Sequence, residues 1–344
     1  MKIGISSPYL DSLAGGERYM LTIASCLSKK HRVDVFWPNM DIIERAKKRF
    51  NLDLDGVSVN ASMQTGKISR IKHTSKYDVI IYLSDGSVPI SLAKHNIFHF
   101  QVPFTSVNGR SLSNQLKLKR FNHFVCNSEF TKKYIDQEFA VNSSVIYPPV
   151  NTTEFKAGKK QNTILTVGRF HPLKKQDVLI DTFISIQEKL GDWQFVIAGG
   201  LLEQDKSYYQ ALVAKCVGNN IKLLPNISHE DLTRLYEETK IYWHGAGYGE
   251  KNPENMEHFG ITTVEAMVAG CVPVAYKGGG QKEIIKDKVS GYLWDTTAEL
   301  VINTLGLVDS ATLWEKLSKQ SKQDAVKYSE AEFCRNWQEL VDKL

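Results

Sequence analysis

A repeated alternation of short apolar runs with amphipathic helical stretches constrains the fold of this chain more than any other feature. The alternation fills the first half of the sequence, breaks at Tyr147-Pro148-Pro149, and starts again after a polar stretch. Strands that alternate with helices in this way build parallel sheets with helices on both faces. A chain of 344 residues is long enough for two such domains. We therefore predict an α/β protein with two doubly wound domains.

The apolar runs also place the individual elements. The tail is predicted to be helical from about Ala311, with Ser329 before its last helix. The polar stretch Tyr147–Asn162 predicts the boundary, which gives domains at 1–150 and 151–325 and a last helical segment at 326–344. The predicted strands are Ile3–Ser6, Val33–Phe36, Val57–Val59, Val79–Leu83, Ile97–Phe100, Phe124–Cys126, Ile164–Val167, Gln194–Ala198, Ile221–Leu224, Ile241–His244 and Val272–Ala275. The predicted helices include Glu17–Ser28, Asp177–Leu190, Tyr208–Val217, His229–Glu238 and Ile261–Ala269.

Composition and charge exclude several classes of protein. Hydrophobic residues make up 42% and charged residues 24% of the chain, which argues against a disordered or collagen-like protein. The net charge of +5 is too mild for a protein that coats nucleic acid, so we expect no nucleic-acid partner. Residues 1–155 carry 20 basic and 13 acidic side chains, and the remainder is slightly acidic. This imbalance indicates either an anionic partner for the first half or random surface charge.

The cysteines and the apolar segments predict the compartment. The five cysteines are far apart and form no C-x-x-C pair, which argues against a disulfide framework and a cysteine zinc site. We expect Cys26, Cys126 and Cys271 to be small core residues. The first residues lack the apolar region of a secretory signal, and no window approaches the roughly 20 apolar residues of a membrane span. These features predict a reduced, cytoplasmic environment.

The segment around Glu257 and Glu265 carries the strongest functional signal. A helix is predicted to begin near Ile261, after Gly260, whose missing side chain lets a ligand approach the backbone. The free N–H groups and positive dipole of a helix N-terminus favour a phosphate. Glu265 lies about 6 Å further along the helix axis, where its carboxylate can accept hydrogen bonds from a ribose. Glu257 precedes the helix, where a sugar attached to the phosphate would lie.

The alternative interpretation of these glutamates is a pair of solvated surface residues. Glu265 argues against it, because it falls on the helical face of Ile261, Val264 and Val268, which should pack inward. A carboxylate at the flank of such a face needs a partner.

Two further loops offer groups that bind anions. Arg169 and Lys174 lie five residues apart after the predicted strand Ile164–Val167, at the strand end where ligands collect in parallel sheets. Together they can clamp a diphosphate without a metal. Gly15 and Gly16 precede the first helix and suit the close approach of an anion, with a flexible loop as the alternative.

Three other patterns are weaker. His99 ends a predicted strand and is a candidate for contact with a phosphate or sugar hydroxyl, although a lone histidine is more often structural. His95 and His99 have the spacing of a helical zinc pair, but Ile97–Phe100 is a predicted strand and no Glu accompanies them, so no metal site is expected. Asp53-Leu54-Asp55 resembles a metal-binding D-x-D motif in a polar turn, and the glycines of 245–249 lack the spacing of a dinucleotide fingerprint.

Taken together, these segments resemble the retaining glycosyltransferases of family four, which have the GT-B fold. Glu257 and Glu265 match that family's E-x7-E motif, and Val167-Gly168-Arg169 with Lys174 is similar to its V-G-R-x4-K phosphate clamp. The sequence Glu257-His258-Phe259-Gly260 is similar to the corresponding motif of eukaryotic mannosyltransferases that extend lipid-linked oligosaccharides. Other matching stretches are Gly15-Gly16-Glu17-Arg18, Asn127-Ser128-Glu129-Phe130-Thr131, Tyr147-Pro148-Pro149-Val150, Gly279-Gly280-Gln281-Lys282-Glu283-Ile284 and Ser290-Gly291-Tyr292.

The resemblance implies two Rossmann-like domains that face a central cleft, with the final helix crossing back onto the first domain. It implies that a hexose moves from a UDP-, GDP- or ADP-sugar, bound mainly by the second domain, to an acceptor bound mainly by the first. It also implies retention of the anomeric configuration and no need for a metal or another cofactor.

The resemblance further assigns roles by position. Glu265 would bind the ribose, Glu257 the hydroxyls of the donor sugar, and Arg169 with Lys174 the leaving diphosphate. Gly16 would lie against the phosphates, assisted by Gly260 and by the N–H groups of Ile261 and Thr262. His99 would contact the donor sugar or a phosphate.

The acceptor is expected to be a lipid-linked or polysaccharide glycan, and an anionic membrane surface is a second expected partner. A peripheral position on the inner face of the membrane would follow, unless the leucines concerned pack inward. Two other functions stay open, a sugar-nucleotide epimerase of the same fold and a non-catalytic protein that binds nucleotide sugars. The residues behind the membrane expectation share one predicted helical region: Arg110, Lys117, Lys119 and Arg120 with Leu112, Leu116 and Leu118.

Overall fold

The computed structural model describes residues 1–61, 66–156 and 158–344, with the backbone alone for Lys67, and it divides into two units. Unit 1 holds Met1–Pro149 and Glu330–Leu344, and unit 2 holds Val150–Ser329. The first break lies within one residue of the predicted boundary. The second falls four residues later than predicted, because Val326–Tyr328 form a 3-10 turn and the Tyr328 hydroxyl donates to the Glu283 carbonyl of unit 2 (2.8 Å).

Unit 1 contains a parallel sheet of seven strands. Its elements are β1 (Lys2–Ser6), α1 (Gly15–Ser28), β2 (Arg32–Phe36), α2 (Ile42–Phe50), β3 (Val57–Val59), α3 (Lys67–Thr74), β4 (Val79–Leu83), β5 (His95–Phe100), α4 (Leu112–Leu118), β6 (His123–Cys126), α5 (Glu129–Phe139) and β7 (Ser144–Val145). The strand order is β3-β2-β1-β4-β5-β6-β7. The chain leaves β1 toward β2 on one side and returns to β4 on the other, so β1 and β4 flank a topological switch point, where ligands of such sheets bind.

Unit 2 contains a parallel sheet of six strands. Its elements are β8 (Gln161–Val167), α6 (Gln176–Leu190), β9 (Gln194–Gly199), α7 (Lys206–Cys216), β10 (Ile221–Pro225), α8 (His229–Glu238), β11 (Thr239–His244), α9 (Ile261–Val268), β12 (Val272–Tyr276), α10 (Gln281–Ile284), β13 (Tyr292–Trp294), α11 (Thr297–Asp309) and α12 (Ala311–Ala325). The order is β10-β9-β8-β11-β12-β13. Here β8 and β11 flank the switch point.

Both sheets confirm the predicted fold class of two Rossmann-like α/β domains. The strand β4 shows why the prediction succeeds, since Val79, Ile80 and Ile81 are all fully buried. Helices cover both faces of a parallel sheet, so its central strands become continuous apolar runs that are visible in the sequence. The strands β5 and β8 begin earlier than predicted because their first residues are polar.

The last helix, α13 (Glu330–Asp342), packs on α1 within unit 1. Trp337 is fully buried, and Phe333 meets the Tyr19 ring edge-on at a centroid distance of 4.8 Å. Burying two large aromatic side chains contributes several kcal/mol to the docking of this helix.

A disulfide between Cys26 and Cys334 links α1 to α13, and it corrects the expectation that Cys26 is an unpaired core residue. Cys26 is buried as predicted, but its sulfur is bonded to a cysteine 308 residues away. The packing of α13 brings the two Cα atoms to 5.2 Å, a normal separation for a disulfide. Cys126 and Cys271 are free and buried, as expected.

Across the described ranges, none of the helices is both long and apolar enough to span a membrane.

Candidate active site

Three segments of unit 2 meet beside the carboxyl ends of β8 and β11. The loop after β8 carries Arg169 and Lys174, β11 ends at His244, and α9 follows Glu257. The Lys174 Nζ atom lies 2.7 Å from Glu257 Oε2, and the His244 Nε2 atom lies 3.1 Å from the same oxygen. The fold therefore joins Lys174 to a glutamate 83 residues further along the chain.

These contacts control the charge of Glu257. Burial alone would raise the pKa of its carboxyl group, but the charge of Lys174 and the hydrogen bond from His244 outweigh burial and hold the pKa well below its usual range. Glu257 is therefore ionised at neutral pH. Because an ionised carboxylate only accepts hydrogen bonds, His244 carries its proton on Nε2, and Glu257 is suited to accept from hydroxyl groups.

His244 is a candidate site residue that was not identified from the sequence. It was predicted only as the last residue of a strand, although a polar side chain at the carboxyl end of an apolar strand is the signal that could have identified it. The side chain is 4% exposed, so its hydrogen bond fixes Glu257 in place.

The N-terminus of α9 is open, as predicted from Gly260. The N–H groups of Ile261 and Thr262 have no acceptor within the parts of the chain that the structure describes. Gly260 has φ of +120°, and a Cβ atom there would lie 2.3 Å from Gln281 Nε2, so only glycine fits. The Tyr242 hydroxyl donates to Thr262 Oγ1 (2.8 Å) and anchors this turn to β11. Free N–H groups at a helix N-terminus bind phosphate.

Glu265 lies one turn into α9 and is half-buried. The Tyr236 hydroxyl, from α8, donates to Glu265 Oε2 at 3.1 Å. Burial, followed by the charge of Glu265, raises the pKa of Tyr236, so this hydroxyl remains a donor. The contact orients the carboxylate.

Arg169 is positioned by a buried acidic residue. Its Nε atom lies 3.7 Å from Asp205 Oδ2, and the His171 Nε2 atom lies 4.0 Å from Asp205 Oδ1. The Arg169 side chain is 45% exposed, so its guanidinium keeps donors available for an anion. The carbonyl of Arg169 accepts from Gln176 Nε2 (2.9 Å), which holds the loop against α6.

Gly16 belongs to unit 1 and is the second residue of α1. A Cβ atom at this position would lie 2.5 Å from Gln101 Oε1, and the Gly16 carbonyl accepts from Gln101 Nε2 (3.2 Å). Glu17 stabilises the turn by accepting from the Ala14 N–H (3.0 Å). The turn is therefore braced within unit 1, while its contact with a donor phosphate stays a prediction.

His99 also belongs to unit 1, and the structure gives it a structural environment. The ring is fully buried, stacks on Tyr19 at 4.2 Å, and donates from Nδ1 to the Val125 carbonyl (3.1 Å). Burial lowers the pKa of His99 to about 3, so the ring is neutral. Its contact with a donor sugar stays a prediction that this burial does not support.

The weaker patterns have local explanations. His99 lies in the strand β5, as predicted, and His95 is the first residue of that strand, two residues before its predicted start. In the D-x-D segment, the Asp55 carboxylate pairs with Lys47 (2.7 Å), and Asp53 accepts from the Asp55 N–H (3.3 Å). Among the described residues, no group of three or more His, Cys, Asp or Glu side chains could hold a metal ion.

Comparison with known proteins identifies the family. Residues 151–324 match the family model of group 1 glycosyl transferases, and residues 13–154 match that of glycosyltransferase family 4. The chain belongs to the group 1 glycosyltransferases. The E-x7-E and V-G-R-x4-K segments both lie within the first match.

Relatives in this family include named mannosyltransferases. The chain is 25% identical over 228 residues to a Dictyostelium discoideum protein named GDP-Man:Man(3)GlcNAc(2)-PP-Dol alpha-1,2-mannosyltransferase. The matched region covers 60% of this chain and 44% of that protein. The chain thus spans less than half the length of that relative. It is 21% identical to the Caenorhabditis elegans protein of the same name, over 98% of this chain and 90% of that protein.

Solved structures show the same fold. The crystal structure of Anabaena Alr3699/HepE in complex with UDP-glucose superposes with a TM-score of 0.79 at 18% identity, over the full length of both chains. This level of identity shows the fold alone.

Proposed function

We propose that this glycosyltransferase moves a hexose from a nucleoside-diphosphate sugar to a glycan acceptor, with retention of configuration and without a metal or other cofactor. One observation carries the proposal, namely that Glu257 is held ionised by Lys174 and His244 beside the open N-terminus of α9. This arrangement combines an acceptor for sugar hydroxyls with donors for a phosphate.

The donor binds along α9. Its diphosphate takes the N–H groups of Ile261 and Thr262 and the positive end of the helix dipole. Arg169 and Lys174 add cationic donors from the neighbouring loop. Glu265 accepts from the ribose hydroxyls one turn further along the helix. Glu257 accepts from the hydroxyls of the hexose.

The chemistry follows from the charges. The bond between the anomeric carbon and the diphosphate oxygen breaks, and its electron pair stays on the diphosphate. Arg169, Lys174 and the helix N-terminus stabilise that developing negative charge. The acceptor hydroxyl oxygen bonds to the anomeric carbon on the same face, and its proton passes to the departing phosphate oxygen.

The donor nucleotide is UDP, GDP or ADP. The mannosyltransferase names of two relatives support a GDP-sugar, and the UDP-glucose complex of the structural neighbour supports a UDP-sugar. A thermal-shift screen of UDP-, GDP- and ADP-linked glucose and mannose, followed by an assay for nucleoside-diphosphate release, identifies the donor. Failure of all six donors to stabilise the protein would contradict the proposal.

Glu257→Ala and Glu265→Ala separate the two glutamates. Glu257→Ala should lower turnover and leave the affinity for the free nucleoside diphosphate unchanged, because its partner is the sugar. The reverse pattern would exchange the roles of the two residues. Lys277→Met, which alters an exposed ion pair with Asp295, is a matched control and should change neither property.

The acceptor is a lipid-linked or polysaccharide glycan reached at an anionic membrane surface. Two leucines on α4 support this, because Leu112 is 79% exposed and Leu116 is 58% exposed, whereas Leu118 is buried. Lys117 and Lys119 belong to the same region, and basic residues beside exposed apolar side chains suit an anionic bilayer. Unit 1 as a whole carries 22 basic and 16 acidic side chains.

Vesicle co-sedimentation tests the membrane contact. We expect binding to anionic vesicles at low salt, weaker binding as salt rises, and a marked loss in Leu112→Ser/Leu116→Ser. Equal binding to neutral and anionic vesicles, or none, would favour a soluble acceptor. The proposed location is cytoplasmic and peripheral on the inner face of the membrane. A Cys26–Cys334 disulfide is unusual for that compartment, so a thiol count bears on the location.

A further inference from the structure

Unit 1 contains a cavity of about 610 Å³ at the carboxyl edge of its sheet. Three of its lining residues end neighbouring strands: Ser6 ends β1, Phe36 ends β2 and Leu83 ends β4. The cavity therefore occupies the topological switch point of the sheet, and its volume falls within the range of small-molecule sites. No residue assigned to donor binding lines it.

One wall of the cavity suits a sugar ring. Trp37 follows β2, lines the cavity, and is half-buried while packing against the core. Pyranose rings present C–H faces that pack on an indole, while their hydroxyls require polar partners at the edge. Asp85 and Ser87, also in the lining, supply such partners, and Asp85 Oδ1 accepts from the Ser87 N–H (2.9 Å).

Tyr82 adds a polar group to the cavity wall. The residue is 5% exposed, and its hydroxyl has no hydrogen-bond partner of normal geometry among the described residues. Ser91 lies beside this hydroxyl, and the Ser91 oxygen also accepts from the Ala93 N–H (3.2 Å). A buried hydroxyl whose hydrogen bonding within the protein is incomplete is stabilised by a ligand or water that completes it.

The lining of the cavity also carries two cations. Arg70 of α3 is exposed, and Lys117 of α4 is half-buried with its Nζ atom 3.2 Å from Asn114 Oδ1. Neither cation forms an ion pair with an acidic side chain in the described parts of the chain. Asp85 is the acidic residue of the lining, so the cavity combines two cations with one carboxylate.

We propose that this cavity binds the acceptor through an anionic saccharide, with a sugar ring on Trp37 and its phosphate or carboxylate group at Arg70 and Lys117. The inference rests on the proposed function, because it takes unit 1 as the acceptor domain. Asp85 would repel a bare anion and accept from a sugar hydroxyl, so the site requires both parts of the ligand. Phosphate and carboxylate share the charge that the two cations recognise.

Saturation-transfer NMR on the full chain tests the proposal. The probes are mannose 6-phosphate, glucose 6-phosphate, glucuronic acid, uncharged mannose and inorganic phosphate. We expect at least one charged saccharide to bind about tenfold more tightly than mannose, with inorganic phosphate weaker than the phosphorylated sugars. Comparison of the phosphorylated sugars with glucuronic acid identifies the anionic group.

Variants assign that binding to the cavity. Trp37→Ala should abolish it, Tyr82→Phe should weaken it, and Arg70→Gln/Lys117→Gln should reduce the affinity for the charged saccharide to that for mannose. The control Lys48→Gln/Arg49→Gln removes the same charge from exposed positions outside the cavity and should bind as wild type. Equal binding of charged and neutral sugars, binding unchanged by Trp37→Ala, or no binding of any charged saccharide would overturn the proposal.

The same samples keep this inference separate from the proposed function. Nucleoside-diphosphate affinity, measured by calorimetry, should be unchanged in the cavity variants, because the donor residues lie in other segments. Absence of saccharide binding in the wild type, with intact nucleotide binding, would overturn the cavity proposal alone. Absence of nucleotide binding in the wild type would contradict the donor site and leave the saccharide result interpretable.

Discussion

Lys174→Met should destabilise unit 2 in a way that depends on pH. The substitution removes the cation that lies 2.7 Å from Glu257 and leaves a largely buried carboxylate with the hydrogen bond from His244 alone. Breaking a buried ion pair by removing one partner costs about 3–5 kcal/mol. Lys174 is 34% exposed and Glu257 is 18% exposed, so solvent reduces this value. We expect a loss of about 2 kcal/mol at pH 7.

The sign of the pH dependence follows from the pKa of Glu257. In the wild type this pKa is depressed, so the ion pair stabilises the fold above the unfolded pKa of about 4.3 and loses that contribution as the pH falls through the folded pKa. In Lys174→Met the effect of burial is no longer balanced, and the folded pKa rises. The variant therefore takes up a proton first, and its deficit should shrink to below about 1 kcal/mol near pH 4.5.

Urea unfolding measures this deficit at pH 7.0, 5.5 and 4.5. Trp243 and Trp294 are buried in the core of unit 2 and report its transition by fluorescence. Lys277→Met is the matched control, because Lys277 and Asp295 are 48% and 58% exposed, and it should lose less than about 0.5 kcal/mol at every pH. A Lys174→Met deficit that is equal at pH 7.0 and 4.5 would refute the reasoning about Glu257.

Three further predictions follow from the same structure. Glu265→Ala should weaken nucleoside-diphosphate binding by about 2–3 kcal/mol in calorimetry, since a charged acceptor of ribose hydroxyls is lost, and unchanged affinity would remove Glu265 from the site. Arg169→Ala should lower kcat by about 100-fold, because stabilisation of the charge on the leaving diphosphate is lost. EDTA should leave wild-type activity intact. Inhibition by EDTA that manganese reverses would contradict metal independence. The denatured, unreduced protein should titrate with three thiols, because Cys26 and Cys334 are bonded, and five thiols would contradict the disulfide.

The sequence predicted most of the fold because burial leaves a pattern along the chain. The helix α8 begins and ends where the sequence placed it, at His229 and Glu238, since its apolar positions follow the helical period. The ends of the strands were predicted less accurately than those of α8. The first residues of β5 and β8 are polar, and only pairing with neighbouring strands includes them in the sheets.

The candidate site was partly predictable. Glu257, Gly260 and Glu265 were recognisable because they lie close together in the sequence, just before and within the first turns of one helix. The contacts of Lys174 and His244 with Glu257 could not be predicted from the sequence, because they depend on how the ends of β8 and β11 meet. The disulfide of Cys26 with Cys334 and the burial of His99 under Trp337 also come from tertiary packing of α13, which has no local signature.

The anomeric configuration of the released sugar tests the central claim most directly. With the preferred donor and water as the acceptor, ¹H NMR can follow the anomeric proton of the hexose before mutarotation mixes the two forms. The account predicts that the sugar first appears with the configuration it has in the donor, at a rate that Glu257→Ala lowers strongly. First appearance of the opposite anomer, or an unchanged rate in Glu257→Ala, would contradict it.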